Sequence, residues 1–433
     1  MDPIYVGILT IVLVLILITL GIPISFSLGL SGLLGILIMR EGNIVFKFMI
    51  SLPYSTISSW ALVIIPLFML MGHLAYHAGI TDDAYEMGYK WLGRIHGGLA
   101  MATTFASAMF AATSGSSVAV AAAMSKIAIP QMRKYGYNTG FAVGCVAVSG
   151  TLGILIPPSG VLVVYGILTE QSIGKLLIAG MVPGIMSAIV FMLGCYVLAR
   201  FFKMGGPKPP PIKWKEKILA LKLGIGVLLL FGTVMGGIYS GIFTSIEAAG
   251  FGVTVALVML LIRSKSRLTG FSDSMKTTSK SSCMVLTVFI GAAVFSLNLT
   301  MTGIPQEIAT FLVNLDMPSK LKIAMILIPY IPLGMFLDPI SMMVLTLPLI
   351  YPVVQALGFS GIWFGILVTK MIEISLITPP VGLNIYVVKA ALPDVSIGEI
   401  LKGCGPFLFM DFINLAILFA FPEISLFLQF MMG

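Results

Sequence analysis

Pro157-Pro158-Ser159-Gly160 and Pro379-Pro380-Val381-Gly382 interrupt two apolar stretches and stand 222 residues apart. The same offset carries Pro130 to Pro352 and Gly136 to Gly358. Slightly different offsets, as short loop insertions would give, relate Gly21-Ile22 to Gly241-Ile242, Gly79-Ile80 to Gly303-Ile304, and Ser172-Ile173-Gly174 to Ser396-Ile397-Gly398. Landmarks recurring in order read as an internal duplication. A proline inside a helix removes a donor and frees a carbonyl. At membrane depth such irregular backbone survives only where protein or a water-filled cavity supplies partners, so two matched breaks point to a cavity.

The surrounding sequence belongs to a membrane. Of 433 residues, 58% are hydrophobic and 10% charged, against about 25% charged in a soluble domain. The length allows on the order of 10 to 14 spans and no sizeable extramembrane domain. The net charge of +8 reads as membrane orientation rather than nucleic-acid binding, because basic residues collect in cytoplasmic loops. Cys145, Cys195, Cys283 and Cys404 lack the paired spacing of a metal or redox motif and read as small apolar residues. The N-terminus runs into its first apolar stretch without a basic n-region, as a retained span would.

Apolar runs lie near 4–21, 22–39, 60–79, 96–113, 117–130, 138–169 and 175–202, and again near 218–236, 242–262, 282–301, 321–337, 339–354, 360–388 and 404–421. Between the two sets, 203–217 carries Lys203, Lys208, Lys213, Lys215 and Lys217 among prolines, and reads as an extended basic linker in the cytoplasm. The segment 263–280, with Arg263, Lys265, Arg267, Lys276 and Lys280, belongs on the same side. If 96–113 with 117–130, and 321–337 with 339–354, are re-entrant hairpins, each half crosses five times. An odd number inverts the second half relative to the first. The expected fold is an all-α polytopic membrane protein of inverted repeats, with about ten transmembrane helices and two re-entrant helical hairpins. Both termini are expected on the periplasmic side.

The hairpin tips are Ala112-Thr113-Ser114-Gly115-Ser116-Ser117 and Gly334-Met335-Phe336-Leu337-Asp338-Pro339. Freed carbonyls and small hydroxyls suit a hard cation such as sodium. The helix start beyond each break suits a carboxylate, with Ser116, Ser117, Ser159 and Asn384 as added donors. Intramembrane charges are candidates because each is costly. Asp338 is read as functional, Glu247 as a structural hydrogen-bonding group between scaffold helices, and Lys370 with Glu373 as either a self-neutralising pair or a functional one. His73 and His77, four apart, have no third ligand in view, so no transition metal is expected. Ser114 and Ser149 lack a base for nucleophilic catalysis, and no phosphate-binding loop supports ATP coupling.

Four motifs together resemble the large membrane subunit of tripartite ATP-independent periplasmic (TRAP) transporters, over nearly the whole chain. They are Ser114-Gly115-Ser116-Ser117, Gly153-Ile154-Leu155-Ile156-Pro157-Pro158-Ser159, Gly241-Ile242-Phe243-Thr244-Ser245-Ile246-Glu247-Ala248-Ala249, and Thr378-Pro379-Pro380-Val381-Gly382-Leu383-Asn384. The resemblance implies a sodium-coupled importer of organic acids in a bacterial inner membrane, with no other cofactor, working as an elevator. It implies a separate small membrane subunit of about four helices and a periplasmic substrate-binding protein. One sodium would sit among Ser114, Gly115, Ser116, Gly150, Thr151 and Pro157, and another among Gly334, Asp338, Thr378 and Pro379. Substrate would meet Ser117, Ser159, Gly160, Asp338, Val381, Gly382 and Asn384, with sialic acid and C4-dicarboxylates the leading candidates.

On the same resemblance, residues 1–202 form the first repeat: 1–95 mainly scaffold, 96–170 the first hairpin and broken helix of a transport domain, 171–202 a connecting helix. After the linker, 218–433 form the second: 218–301 mainly scaffold, 321–388 the second hairpin and broken helix, 389–433 the terminal helix. The first tip lacks the acid that Asp338 gives the second, so the two ion sites would differ. The alternatives are a stand-alone sodium/anion symporter of the divalent-anion type and, more remotely, an intramembrane hydrolase.

Overall fold

The computed structural model describes residues 2–40, 42–380 and 382–431, and all their regular elements are helical. The first half runs α1 (Pro3–Thr19), α2 (Ile24–Met39), α3 (Gly42–Ile57), α4 (Ile64–His77), α5 (Ile80–Leu92), α6 (Gly98–Ser114), α7 (Ser117–Lys134), α8 (Thr139–Leu155), α9 (Gly160–Thr169) and α10 (Ile173–Phe201). The second runs α11 (Trp214–Tyr239), α12 (Ser245–Arg263), α13 (Arg267–Thr302), α14 (Ile304–Asn314), α15 (Ser319–Leu327), α16 (Tyr330–Gly334), α17 (Pro339–Ala356), α18 (Gly361–Ser375), α19 (Leu383–Ala391), α20 (Ile397–Ala420) and α21 (Glu423–Phe430).

The 222-residue offset is a structural relation as well as a textual one. It carries the bounds of α7 onto those of α17. It carries Asn138, whose side chain caps α8, onto Ser360, which caps α18. The paired turn glycines behave alike: Gly21 and Gly241, Gly79 and Gly303, and Gly136 and Gly358 all have positive φ. Only a residue without Cβ adopts that conformation freely, which is why these positions survive as landmarks. Contacts between the halves are reciprocal. α2 packs on α13 while α12 packs on α4, and α8 meets α20 while α10 meets α18. A two-fold relation between the halves produces such exchanged pairs.

α8 and α18 lie at the centre, buried from Gly140 to Leu155 and from Ile362 to Ser375. A helix apolar on every face is stable only where every face is covered. Trp363 of α18 is buried and donates its indole N–H to Leu418 O at 2.9 Å. The outer helices do the opposite: α1 exposes Ile8, Leu9, Val12 and Ile16, and α11 exposes Leu228 and Leu229. Among the described residues, seven helices are long and apolar enough to cross a membrane, or eight with the bent pair α8–α9, while α1 and α2 are shorter apolar helices. α17 meets that test too, although the sequence reading makes it a hairpin arm.

Several expectations need correction. α3 and α5 fall outside the apolar runs; α5 is amphipathic, with Asp82, Asp83 and Lys90 among its residues, so a search for apolar stretches passes over it. The linker is not simply extended. Met204 O accepts from the Asn138 N–H at 3.1 Å, and Lys217 O accepts from the Trp91 indole at 3.0 Å, so both its ends are tied to the first half. Glu247 is exposed and does not join helices: it closes a capping box with Thr244 at the start of its own helix, α12.

Candidate functional site

Each hairpin tip is brought against the broken helix of its own half. In the first, α6 stays helical through Ser114, leaving only Gly115 and Ser116 to make the turn. Gly115 has φ +60°, its carbonyl accepts from the Gly160 N–H at 3.5 Å, and a Cβ there would strike Pro158 O. Ser116 caps α7 through the Ala119 N–H at 3.4 Å. Glycines let the chains close: a Cβ on Gly153 would lie 2.7 Å from the Ser116 carbonyl carbon, and one on Gly150 would lie 2.8 Å from Ala121 Cβ. From the other side α4 presents Gly72, where a Cβ would come 2.7 Å from Ser114 Cα.

The hydroxyls around this tip differ in what they have left to offer. Ser114 Oγ is buried and has no hydrogen-bond partner among the described residues. Ser117 is buried at the start of α7. Thr151 donates to Val148 O at 2.8 Å. Ser159 donates to Ile154 O and accepts from the Leu162 N–H, so it is committed to capping α9. Pro157 and Pro158 are buried beside it.

In the second half, Gly334 ends α16 and packs on Ser375 of α18. Asp338 caps α17, accepting from the N–H groups of Ile340 at 3.1 Å and Ser341 at 3.2 Å and from the Ser341 hydroxyl. Gly334 to Asp338 and the start of α19, at Leu383 and Tyr386, enclose a cavity of about 150 Å³. Thr378 donates to Ile374 O at 2.6 Å, and Gly382 adopts φ +63°. Pro379 and Pro380 are exposed, unlike their counterparts in the first half. Val381 lies outside the described residues.

Asn384 joins the two halves. Its amide N–H donates to Ala147 O of α8 at 3.0 Å, its backbone N–H donates to Leu376 O at 3.2 Å, and it is fully buried. Its Nδ2 is thus tied to the fold, and the group it keeps free is Oδ1. A larger cavity, about 480 Å³, lies between the first turn of α10 and the α11–α12 connection and is lined by none of these tip residues.

In sequence, Lys370 and Glu373 stand as a pair of charges three residues apart. They are joined by Asp411 of α20, 41 residues further along, which a local motif search cannot reach. Outside the spans, Arg133 at the end of α7 pairs with Asp394 in the α19–α20 loop at 2.8 Å. Its hydrogen bond holds the Asp394 carboxyl below the usual carboxylate range.

With this geometry in view, the family model described as tripartite ATP-independent periplasmic transporter, DctM component, matches residues 11–424. The chain belongs to that family. As a DctM component it is a multi-pass permease subunit of a transporter and not an enzyme. Similar proteins include the C4-dicarboxylate TRAP transporter large permease protein DctM of Pseudomonas aeruginosa, 36% identical with 94% of each chain covered. The sialic acid TRAP transporter large permease protein SiaM of Vibrio cholerae is 31% identical, over 94% of this chain and 95% of that one. The ectoine TRAP transporter large permease protein TeaC of Halomonas elongata is also 31% identical, over 95% and 96%. Among solved structures, the YdaH transporter of Alcanivorax borkumensis shares the fold at TM-score 0.64 and 14% identity, with 98% of each chain covered.

Proposed function

We propose that this DctM component imports an organic acid across the bacterial inner membrane, driven by sodium, in an elevator cycle. The observation that carries the reading is the matched pair of tips, each closed on the broken helix of its own half. The donors there are oxygens, and the buried Ser114 Oγ lacks a partner among the described residues. That set fits a hard monovalent cation. Ser114 and Ser116 would hold one sodium with the backbone near Gly115, Gly150, Thr151 and Pro157; Asp338 and Thr378 would hold another with the backbone near Gly334 and Pro379. When bound, sodium supplies positive charge to an otherwise electroneutral first tip.

The residues of the chain do the rest. Substrate would lie between the tips, near Ser117, Ser159, Gly160, Asp338, Val381, Gly382 and Asn384, with its carboxylate at the α9 and α19 helix starts. Because each tip rests on a break, filling a tip fixes the break, so the loaded hairpins and broken helices (96–170 and 321–388) would move together against a scaffold of 1–95 and 218–301. C4-dicarboxylates and sialic acid are the favoured cargo, since those names recur among the relatives. A small membrane subunit and a periplasmic binding protein complete the transporter. Uptake of a supplied acid into vesicles holding all three components should disappear without a sodium gradient. Uptake that persists at full rate without sodium refutes the coupling.

A further inference from the structure

Lys370 and Glu373 stand one turn apart on α18, Asp411 faces them from α20, and none of the three is exposed to solvent. Lys370 Nζ lies 2.6 Å from Glu373 Oε2, 2.5 Å from Asp411 Oδ1 and 3.0 Å from Ser187 Oγ on α10. The Phe191 ring, also on α10, lies 5.5 Å from it. The ammonium donates hydrogen bonds to Glu373 Oε2 and Ser187 Oγ and forms an ion pair with Asp411 Oδ1, and the cluster fastens the last helix of the first half to two helices of the second.

Its charge does not balance. One ammonium and two carboxylates leave an excess of one negative charge in a site closed to water, and an uncompensated buried charge is strongly disfavoured. Among the described residues the charges acting on Glu373 are Lys370 and Asp411, and those acting on Lys370 are the two carboxyls. Asp411 has Lys370 and the neighbouring amide of Asn414. The other groups facing the cluster are Ser187 and Phe191, both without charge. Among the described residues, Glu373 Oε1 and both Asp411 carboxyl oxygens have no hydrogen-bond partner.

We propose that this triad is a binding site for one exchangeable proton, held by the Glu373–Asp411 carboxyl pair. Protonation forms one O–H bond on a free carboxyl oxygen of the pair, takes up one proton from water and changes nothing else. It leaves one neutral carboxyl beside a matched ion pair of Lys370 with the other. A metal cation in the same place would have to sit beside the ammonium, and among the described residues no group of three His, Cys, Asp or Glu could hold a metal. The site is mechanically linked to the second tip. Two residues beyond Glu373, Ser375 donates to Ile372 O at 2.7 Å and receives Gly334 against its side chain. Release of the proton would place an unpaired negative charge where α10, α18 and α20 meet.

Infrared spectra of the purified full-length chain in detergent test this without any transport assay, so the result is independent of the sodium proposal. The wild type should show one equivalent of protonated, deuterium-sensitive carboxyl at neutral pH, unchanged by adding sodium chloride. Glu373→Gln and Asp411→Asn should each remove it, because either leaves a single carboxylate matched to Lys370. Lys370→Met should raise it to two equivalents, since both carboxyls must then be neutral. No protonated carboxyl in the wild type, a signal that survives both single substitutions, or one displaced by sodium would each overturn the proposal. Should Lys370→Met fail to fold, the wild type with the two single variants still decides it.

Discussion

Ser116 and Asp338 occupy the same position in the two halves, 222 residues apart, and each is the N-cap of the second hairpin arm. A hydroxyl in one and a carboxylate in the other perform the same local task, so the acid in the second tip has a structural duty before any ionic one.

Substitution can separate the two duties of Asp338. Asp338→Ala removes the cap of α17 and should cost about 0.5 to 2 kcal/mol of stability, with a weaker sodium dependence of uptake. Asp338→Ser should restore most of the stability, as Ser116 does for α7, without restoring the carboxylate. Thermal unfolding and sodium titrations of uptake on both variants check this. Full sodium dependence in Asp338→Ser would mean that the charge is dispensable.

Gly115→Ala should abolish uptake. The position needs φ +60°, which costs an alanine roughly 1 to 2 kcal/mol, and the added methyl would meet Pro158 O across the tip-to-break contact. Gly358→Ala, at a similar φ but with open space around it, is the control for backbone strain alone. Uptake retained by the control and lost at the tip is the expected result.

Asn384→Ala should destabilise the protein by about 0.5 to 1.5 kcal/mol, the net worth of one hydrogen bond, because the side-chain tie to Ala147 O is lost while that carbonyl keeps its place in the α8 helix. Unfolding of the purified chain reads this directly. A neutral effect would mean that the tie between α8 and α19 is not a structural contact.

The Arg133–Asp394 pair gives a pH signature. The Asp394 carboxyl is held below its ordinary range, so its stabilising effect is complete above the unfolded value near pH 4 and fades as pH falls through the lower native value. The difference in unfolding temperature between wild type and Asp394→Asn should be constant from about pH 6 to 8 and vanish under acid. It should also shrink with added salt, since both groups reach solvent.

What the sequence revealed depended on residues with local consequences. The Pro-Pro breaks and turn glycines were legible because proline and glycine constrain the chain wherever they stand, and their spacing carried the duplication. Thr244-Ser245-Ile246-Glu247 was legible in principle as a capping box, yet its acid was read as an intramembrane charge joining helices. Asp411 was out of reach: nothing near it in sequence shows that α20 turns it toward Lys370. The availability of Ser114 Oγ, in contrast to the committed Ser159, likewise depends on neighbours that only folding supplies. α5 escaped because it combines polar and apolar faces, and α3 because Lys47, Ser51, Ser55 and Thr56 interrupt its apolar residues; a search for uniformly apolar runs discards both.

The exchanged packing of α2 on α13 and α12 on α4 has an ancestral consequence. A polypeptide of half this length would have left the groove of α2 and the flank of α4 uncovered, and could have filled them only with a second copy of itself. Fusion through a linker would make that partnership permanent and free the two copies to diverge, so that one carries a serine at its cap and the other an aspartate.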